Sequence, residues 1–134
     1  MGSNKECYKK FNIKRKKIFK IYDNKLKELK KITLLPKNNW SKNSYWLYTI
    51  LIKNINRKIR DKLIINMQNK GIECRPGFYS LSLMKPFKKY SKGSYLISND
   101  LSERSLSLPT TNINRQQQNF IIKTFVAELK KINI

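Results

Sequence analysis

Residues 45–52 read YWLYTILI, an aromatic and β-branched run with almost no polar alternation. A strand with one wet face alternates apolar and polar side chains, so this run predicts a buried central strand. Such a strand needs cover on its faces. A chain of 134 residues, 40% of them hydrophobic, has material for one modest core in one domain.

The cover is legible on both sides of the run. From about Tyr8 to Lys31, Phe11, Ile18, Tyr22, Leu26 and Leu29 recur at helical spacing, with Lys and Arg on the other faces. This stripe can dock the helix on a core; a basic amphipathic helix can also lie on a membrane or a partner. Residues 1–7 carry no pattern and read as a frayed start. Pro36 to Asn43 reads as a loop. Asn56 can cap a helix over about Arg57–Asn69, with Ile59, Leu63 and Met67 inward and Gly71 as its left-handed stop.

Ile72 to Pro76 follows as a short extended piece, since Pro76 disfavours helical geometry at Arg75. Residues 77–93 read as loop, punctuated by Gly77, Pro86 and Gly93. A short helix over about Tyr95–Arg104 and a brief strand at Leu106–Pro109 come next. Asn114 with Gln117 forms a capping box for a last helix reaching about Ile132, buried through Ile121, Phe125 and Leu129. The order predicts an α+β, two-layer domain: a short, mostly antiparallel sheet of about three strands, covered by helices and preceded by a long basic helix.

The chemistry available is limited. The chain has no histidine, which removes histidine acid–base catalysis and histidine metal sites. Cys7 and Cys74 form no CxxC pair, which fits a reduced, cytoplasmic protein. No stretch is apolar enough to span a membrane, and the start is too polar for a signal peptide. No Gly-rich phosphate loop, nucleophile elbow, metal cluster or paired acid–base carboxylates stand out, so no catalytic residue and no metal ligand is assigned.

The net charge of +22, from 30 Lys plus Arg against 8 Asp plus Glu, suits nucleic acid or an acidic partner. It also suits A/T-rich codon drift, because Lys, Asn and Ile rise together and Lys is spread along the chain while Arg is scarce. Arg75, Phe78 and Tyr79 stand out in GIECRPGFYSLSL. A guanidinium beside two aromatics after a strand can grip a phosphate or a sugar ring. A turn with its aromatics packed inward is the competing reading.

The strings NSYWLYTILI, RDKLIINMQNKGIECRPGFYSLSLMKPFKKY and LSERSLSLPTTNIN, with the closing helix, resemble the C-terminal part of DegT-type aminotransferases, the perosamine synthase-like family. KRKKIFKIYDNKLKELKKITLLP is similar to the family helix that leads into its small domain. The resemblance covers about residues 11–134 and keeps order and spacing. It implies a fold type I enzyme that uses pyridoxal phosphate (PLP) to aminate a nucleotide-linked keto sugar, with glutamate the usual donor. The chain then divides into a frayed start and basic connecting helix over residues 1–37 and the aminotransferase small domain over 38–134.

The Schiff-base lysine belongs to a large domain upstream of the matched region. The chain alone is therefore expected to be inactive and to hold no PLP, its cofactor-binding residues unassigned. Its expected partners are the large domain or a companion subunit, the nucleotide sugar, and a second protomer, since the family forms homodimers. Arg75, Phe78 and Tyr79 match the family's RPxFY string and become the substrate-binding candidates. Ser80 and Ser82 replace a Pro and a His common in the family, and Gly77 replaces a bulkier residue, which takes away groups that would touch substrate. The alternative function is a basic nucleic-acid or acidic-partner binding module built on the same fold.

Overall fold

A computed structural model describes residues 4–132, with side chains from residue 9 onward. Helix α1 spans Asn4–Leu26, β1 Ile32–Thr33, β2 Tyr48–Ile52, α2 Arg57–Gln68 and β3 Arg75–Pro76. The short α3 covers Lys85–Lys88, α4 Leu96–Arg104, β4 Ser105–Leu108 and α5 Arg115–Lys130. The four strands form one antiparallel sheet in the order β1-β2-β4-β3. The α+β two-layer expectation holds, with four strands rather than about three.

The extra strand lies just past the end of the first helix, in a stretch to which the sequence assigned no element. Helix α1 stops at Leu26, and the Leu29 and Ile32 amides turn back on the Leu26 and Leu29 carbonyls. Leu29 stays half-buried on this turn, so its place in the stripe gave no sign of the break. Ile32 and Thr33 then pair with Ile52 and Leu51. At its other end α1 already runs through residues 4–7, against the expected frayed start; residues 1–3 lie outside the described residues. Phe11, expected on the buried stripe, is exposed, because the core reaches only the C-terminal half of α1, where Phe19, Tyr22 and Leu26 are buried.

The central strand is shorter than its apolar run. Tyr45 takes a left-handed φ of 55° and its amide donates to Asn43 Oδ1 at 2.7 Å, so a turn occupies the start of the run. From Tyr48 the chain is strand, with Tyr48, Ile50 and Ile52 buried toward the helices and Thr49 and Leu51 half-buried on the other face. Burying a large apolar side chain in this way contributes about 1.5–3 kcal/mol. Tyr48 also stacks on Tyr22, with ring centroids 4.7 Å apart, and takes the edge of Phe19 at 5.0 Å. Both phenols are satisfied: Tyr48 donates to Asp23 Oδ1 at 2.9 Å and Tyr22 to the Pro109 carbonyl at 2.8 Å. These bonds tie α1 to both central strands.

The local signals at α2 and α5 are met. Asn56 Oδ1 accepts from the Ile59 amide, and Gly71 turns the chain at φ 74°. Asn114 and Gln117 make both halves of their capping box. Ile121, Phe125 and Leu129 are buried. Charged and polar side chains share this core. Arg60, on α2, is fully buried; it pairs with Asp61 and donates to the Ser102 carbonyl at the end of α4. Gln118 donates to the Ile18 carbonyl, and buried Glu128 gathers Lys70, Lys131 and Asn66. Within the expected loop 77–93, a 3₁₀ turn over Leu81–Leu83 and the single turn of α3 appear, the latter entered at Pro86 as first-turn prolines allow.

Candidate functional site

Helices cover one face of the sheet. The opposite face carries the alternate residues of each strand: Thr33, Thr49 and Leu51, Ser105 and Ser107, and Arg75. The Thr49 and Ser107 hydroxyls meet across β2 and β4 at 2.8 Å. A cleft of about 1370 Å³ opens over this floor. Its walls are Leu34 and Leu35 after β1, Trp46 before β2, Phe78 and Tyr79 after β3, and Leu96 and Ile97 at the start of α4.

Arg75, Phe78 and Tyr79 all line this cleft. None is packed inward. Phe78 is 77% exposed and lies 6.3 Å from the Trp46 ring, also an exposed group. Tyr79 is 43% exposed beneath the Arg57 guanidinium, 5.0 Å from its ring centre. Arg75 is exposed on β3, and its Nε donates to Glu73 Oε1 at 3.0 Å. Both members of this ion pair are well solvated, so it contributes little and yields readily to a ligand anion. The turn with aromatics packed inward is thereby excluded.

Two local devices hold the loop. The Gly77 amide donates to the Ser105 carbonyl at 3.1 Å, extending the β3–β4 ladder by one step. A Cβ built at residue 77 would stand 1.9 Å from Ser105 Oγ and 2.6 Å from its Cβ, so this close approach requires glycine. Farther along, Ser98 Oγ donates to Ser80 Oγ at 3.0 Å, Ser80 and Ser82 share a bond at 2.8 Å, and Ser82 donates to Asn99 Oδ1 at 3.0 Å. Ser80 and Ser82 thus fasten the loop to α4. Trp46, Arg57 and Ser105 escaped the reading of the sequence, because each takes part only through a partner distant in the chain.

The arrangement can bind. It offers one cation, one carboxylate, exposed rings for stacking and a hydroxyl floor, the usual make-up of a polar ligand's seat. It offers no lysine among the residues that line the cleft, and a Schiff base requires one. The cleft therefore does not fit PLP by its own residues. Among the described residues, no group of His, Cys, Asp and Glu could hold a metal ion, and no helix is long and apolar enough to cross a membrane.

A model of the DegT/DnrJ/EryC1/StrS aminotransferase family matches residues 6–126. The chain belongs to this family. Among DegT/DnrJ/EryC1/StrS proteins, it is 31% identical to the GDP-perosamine synthase of Vibrio cholerae over 74 residues, which are 54% of this chain and 20% of that protein. Its fold superposes on a sugar aminotransferase of Streptococcus pneumoniae in the PMP-form with a TM-score of 0.82 at 22% identity, covering 94% of this chain and 32% of that one. It superposes on the Helicobacter pylori PseC, an aminotransferase of pseudoaminic acid biosynthesis, with a TM-score of 0.79 at 18% identity, over 89% and 33% of the two chains. The chain thus spans about a fifth of the curated relative and a third of each of these two structures.

Proposed function

We propose that this chain is the C-terminal small domain of a PLP-dependent sugar aminotransferase, which transfers an amino group, from glutamate, to a nucleotide-linked keto sugar. Arg75, Phe78 and Tyr79 form one wall of the sugar-nucleotide pocket. The observation that carries this reading is their common position, outward-facing, on one cleft of a chain that belongs to the family. Arg75 holds a phosphate or carboxylate oxygen of the substrate, a charge-assisted contact. Phe78 and Tyr79 offer ring faces to the sugar or base. The cofactor, when bound, supplies the amino-group chemistry; the residues of this chain position substrate and keep it dry. The Schiff-base lysine and the homodimer contacts belong to the complete enzyme, which works in the cytoplasm.

Three measurements test the reading. The purified chain, mixed with PLP, should show no aldimine absorbance and no transamination. A fusion of this chain behind the N-terminal two thirds of the S. pneumoniae enzyme should aminate a nucleotide keto sugar. Arg75→Ala in that fusion should raise KM about tenfold or more, the worth of one charge-assisted hydrogen bond. Transamination by the isolated chain, or an unchanged KM in the variant, defeats the proposal.

A further inference from the structure

Seven of the twelve residues from Lys9 to Lys20 are Lys or Arg, against 30 of 134 in the whole chain, and no acidic residue stands between Glu6 and Asp23. Codon drift spreads lysine along a chain and does not gather it in this way. Lys9, Lys10, Lys14, Lys16, Lys17 and Lys20 are all exposed, at spacings of three, four and seven that put them on one side of α1. Phe19, Tyr22 and Leu26, on the other side of the same helix, are buried in the core. The lysine side therefore points out of the helix layer, away from the cleft.

Among the described residues, none of these six lysines has an acidic partner. Asp23, the first acid after them, is taken by Lys37 at 2.8 Å. Ile13 lies in the middle of the lysine side and is 56% exposed. Helix α5 lies beside α1, joined to it by the bond from Gln118 to the Ile18 carbonyl, and on its outer side Phe120 is 54% exposed and Lys123 is exposed too. Charge complementarity asks for an anionic occupant. The apolar side chains decide which one. A nucleic-acid backbone takes the lysines but leaves Ile13 and Phe120 in water. A bilayer surface takes both: lysine heads reach the phosphates while their stems and the apolar groups sink to the acyl boundary.

We infer that the outer face of the helix layer, centred on the α1 lysines and Ile13, rests on the surface of an anionic phospholipid bilayer. Four to eight cations on one amphipathic helix suit such a surface. The contact is peripheral, since no helix among the described residues is long and apolar enough to cross a membrane. Helix α1 lies flat, its lysines spread over about 17 Å of helix length. The cleft, on the far side of the sheet, stays open. The inference does not depend on the aminotransferase reading, and either can fail without the other.

The test is sedimentation of the full chain with lipid vesicles at physiological salt. The chain should pellet with vesicles of phosphatidylglycerol mixed into phosphatidylcholine and stay in solution with phosphatidylcholine alone. A lysine at an anionic surface is worth about fivefold in partition, so Lys10→Gln, Lys14→Gln and Lys17→Gln together should weaken binding about a hundredfold. The same changes at Lys85, Lys88 and Lys89, in and beside α3, remove equal charge and should cost less than about threefold, because salt screens charges away from the contact. Equal losses from the two triple variants overturn the inference, since net charge and not this face then drives binding. So does failure of the unaltered chain to pellet with either vesicle. A second readout needs no triple variant. A polarity-sensitive dye on Ile13→Cys, in a Cys7→Ser background where Cys74 is buried, should shift to the blue on the anionic vesicles. The same dye on Ile97→Cys, at the mouth of the cleft, should not. A shift at residue 97 without one at 13 overturns the inference, as it sets the cleft against the lipid. Tighter binding to duplex DNA than to vesicles at equal phosphate, with no shift at residue 13, overturns it in favour of nucleic acid.

Discussion

Gly77 and Ser105 compete for the same space: a methyl group on residue 77 would lie 1.9 Å from the serine hydroxyl oxygen and 2.6 Å from its Cβ. The contact places the backbone of the Arg75–Tyr79 loop against β4. Rotating the serine moves its oxygen away but leaves Cβ in place. Gly77→Ala is therefore expected to destabilise the fold by about 1–3 kcal/mol, the usual cost of overpacking. Ser105→Gly in the same chain should recover most of that loss, a coupling that a double-mutant cycle by thermal unfolding measures directly. Independent, additive effects would show that the two residues do not share this space.

Arg60 sits where a charge is most costly, fully buried between α2 and the end of α4. Its partners are the half-exposed Asp61 carboxylate and the Ser102 carbonyl. Arg60→Met keeps most of the volume but leaves the carbonyl without its donor. We expect a loss of about 2–4 kcal/mol in urea unfolding, with little change in the slope of the transition. A loss under half a kcal/mol would mean that the guanidinium contributes no more than its bulk.

Hydrogen bonds from Lys131, then Lys70, hold the Glu128 carboxyl at about 2, below its ordinary 4.5. A depressed carboxylate stabilises the fold fully above the unfolded value and loses that contribution as pH falls through the folded one. The acid limb of stability should therefore slope between about pH 4.5 and 2. Glu128→Gln should be less stable at pH 7 and flatter over that window. An unchanged limb in the variant would assign acid unfolding to other carboxylates.

Burial, and secondarily the Glu73 carboxylate, pushes the Cys74 thiol up to about 12. At pH 8 it should be inert to a thiol reagent in a Cys7→Ser background until the chain unfolds, so labelling kinetics should report opening of the core. The ionisation also costs stability in base: the native thiol stays neutral while the unfolded one ionises, so stability should fall as pH rises above about 9 toward 12. Fast labelling under native conditions would refute the burial.

The elements most legible in the sequence are those whose signals are local. The Asn56 cap, the Gly71 stop and the Asn114–Gln117 box each need only residues three or four apart, and each stands as read. β1 was hidden because two residues of strand carry no period of their own; Ile32 and Thr33 are strand only because Leu51 and Ile52 lie beside them. The YWLYTILI run revealed the central strand but not its start, since Asn43 imposes a turn on Tyr45 that the aromatic run conceals. Arg75, Phe78 and Tyr79 were singled out by their chemistry, and the structure sets them on one cleft. Trp46 and Arg57, which complete their contacts, come from elements whose approach only the tertiary fold brings about.

The pairing of β2 with β4 has a cost in time. Thr49 and Ser107, bonded at the centre of the sheet, are 58 residues apart in the chain. The contact closes a long loop before any of its apolar gain is realised, and such distant pairing slows folding. On a ribosome adding about 5–20 residues per second, β2 would wait several seconds for its neighbour. During that interval Tyr48, Ile50 and Ile52 have α1, β1 and, once it is made, α2 for company, but neither β4 nor α5. The nascent chain is then at its most adhesive, and a chaperone that holds extended apolar segments would find its target at the central strand.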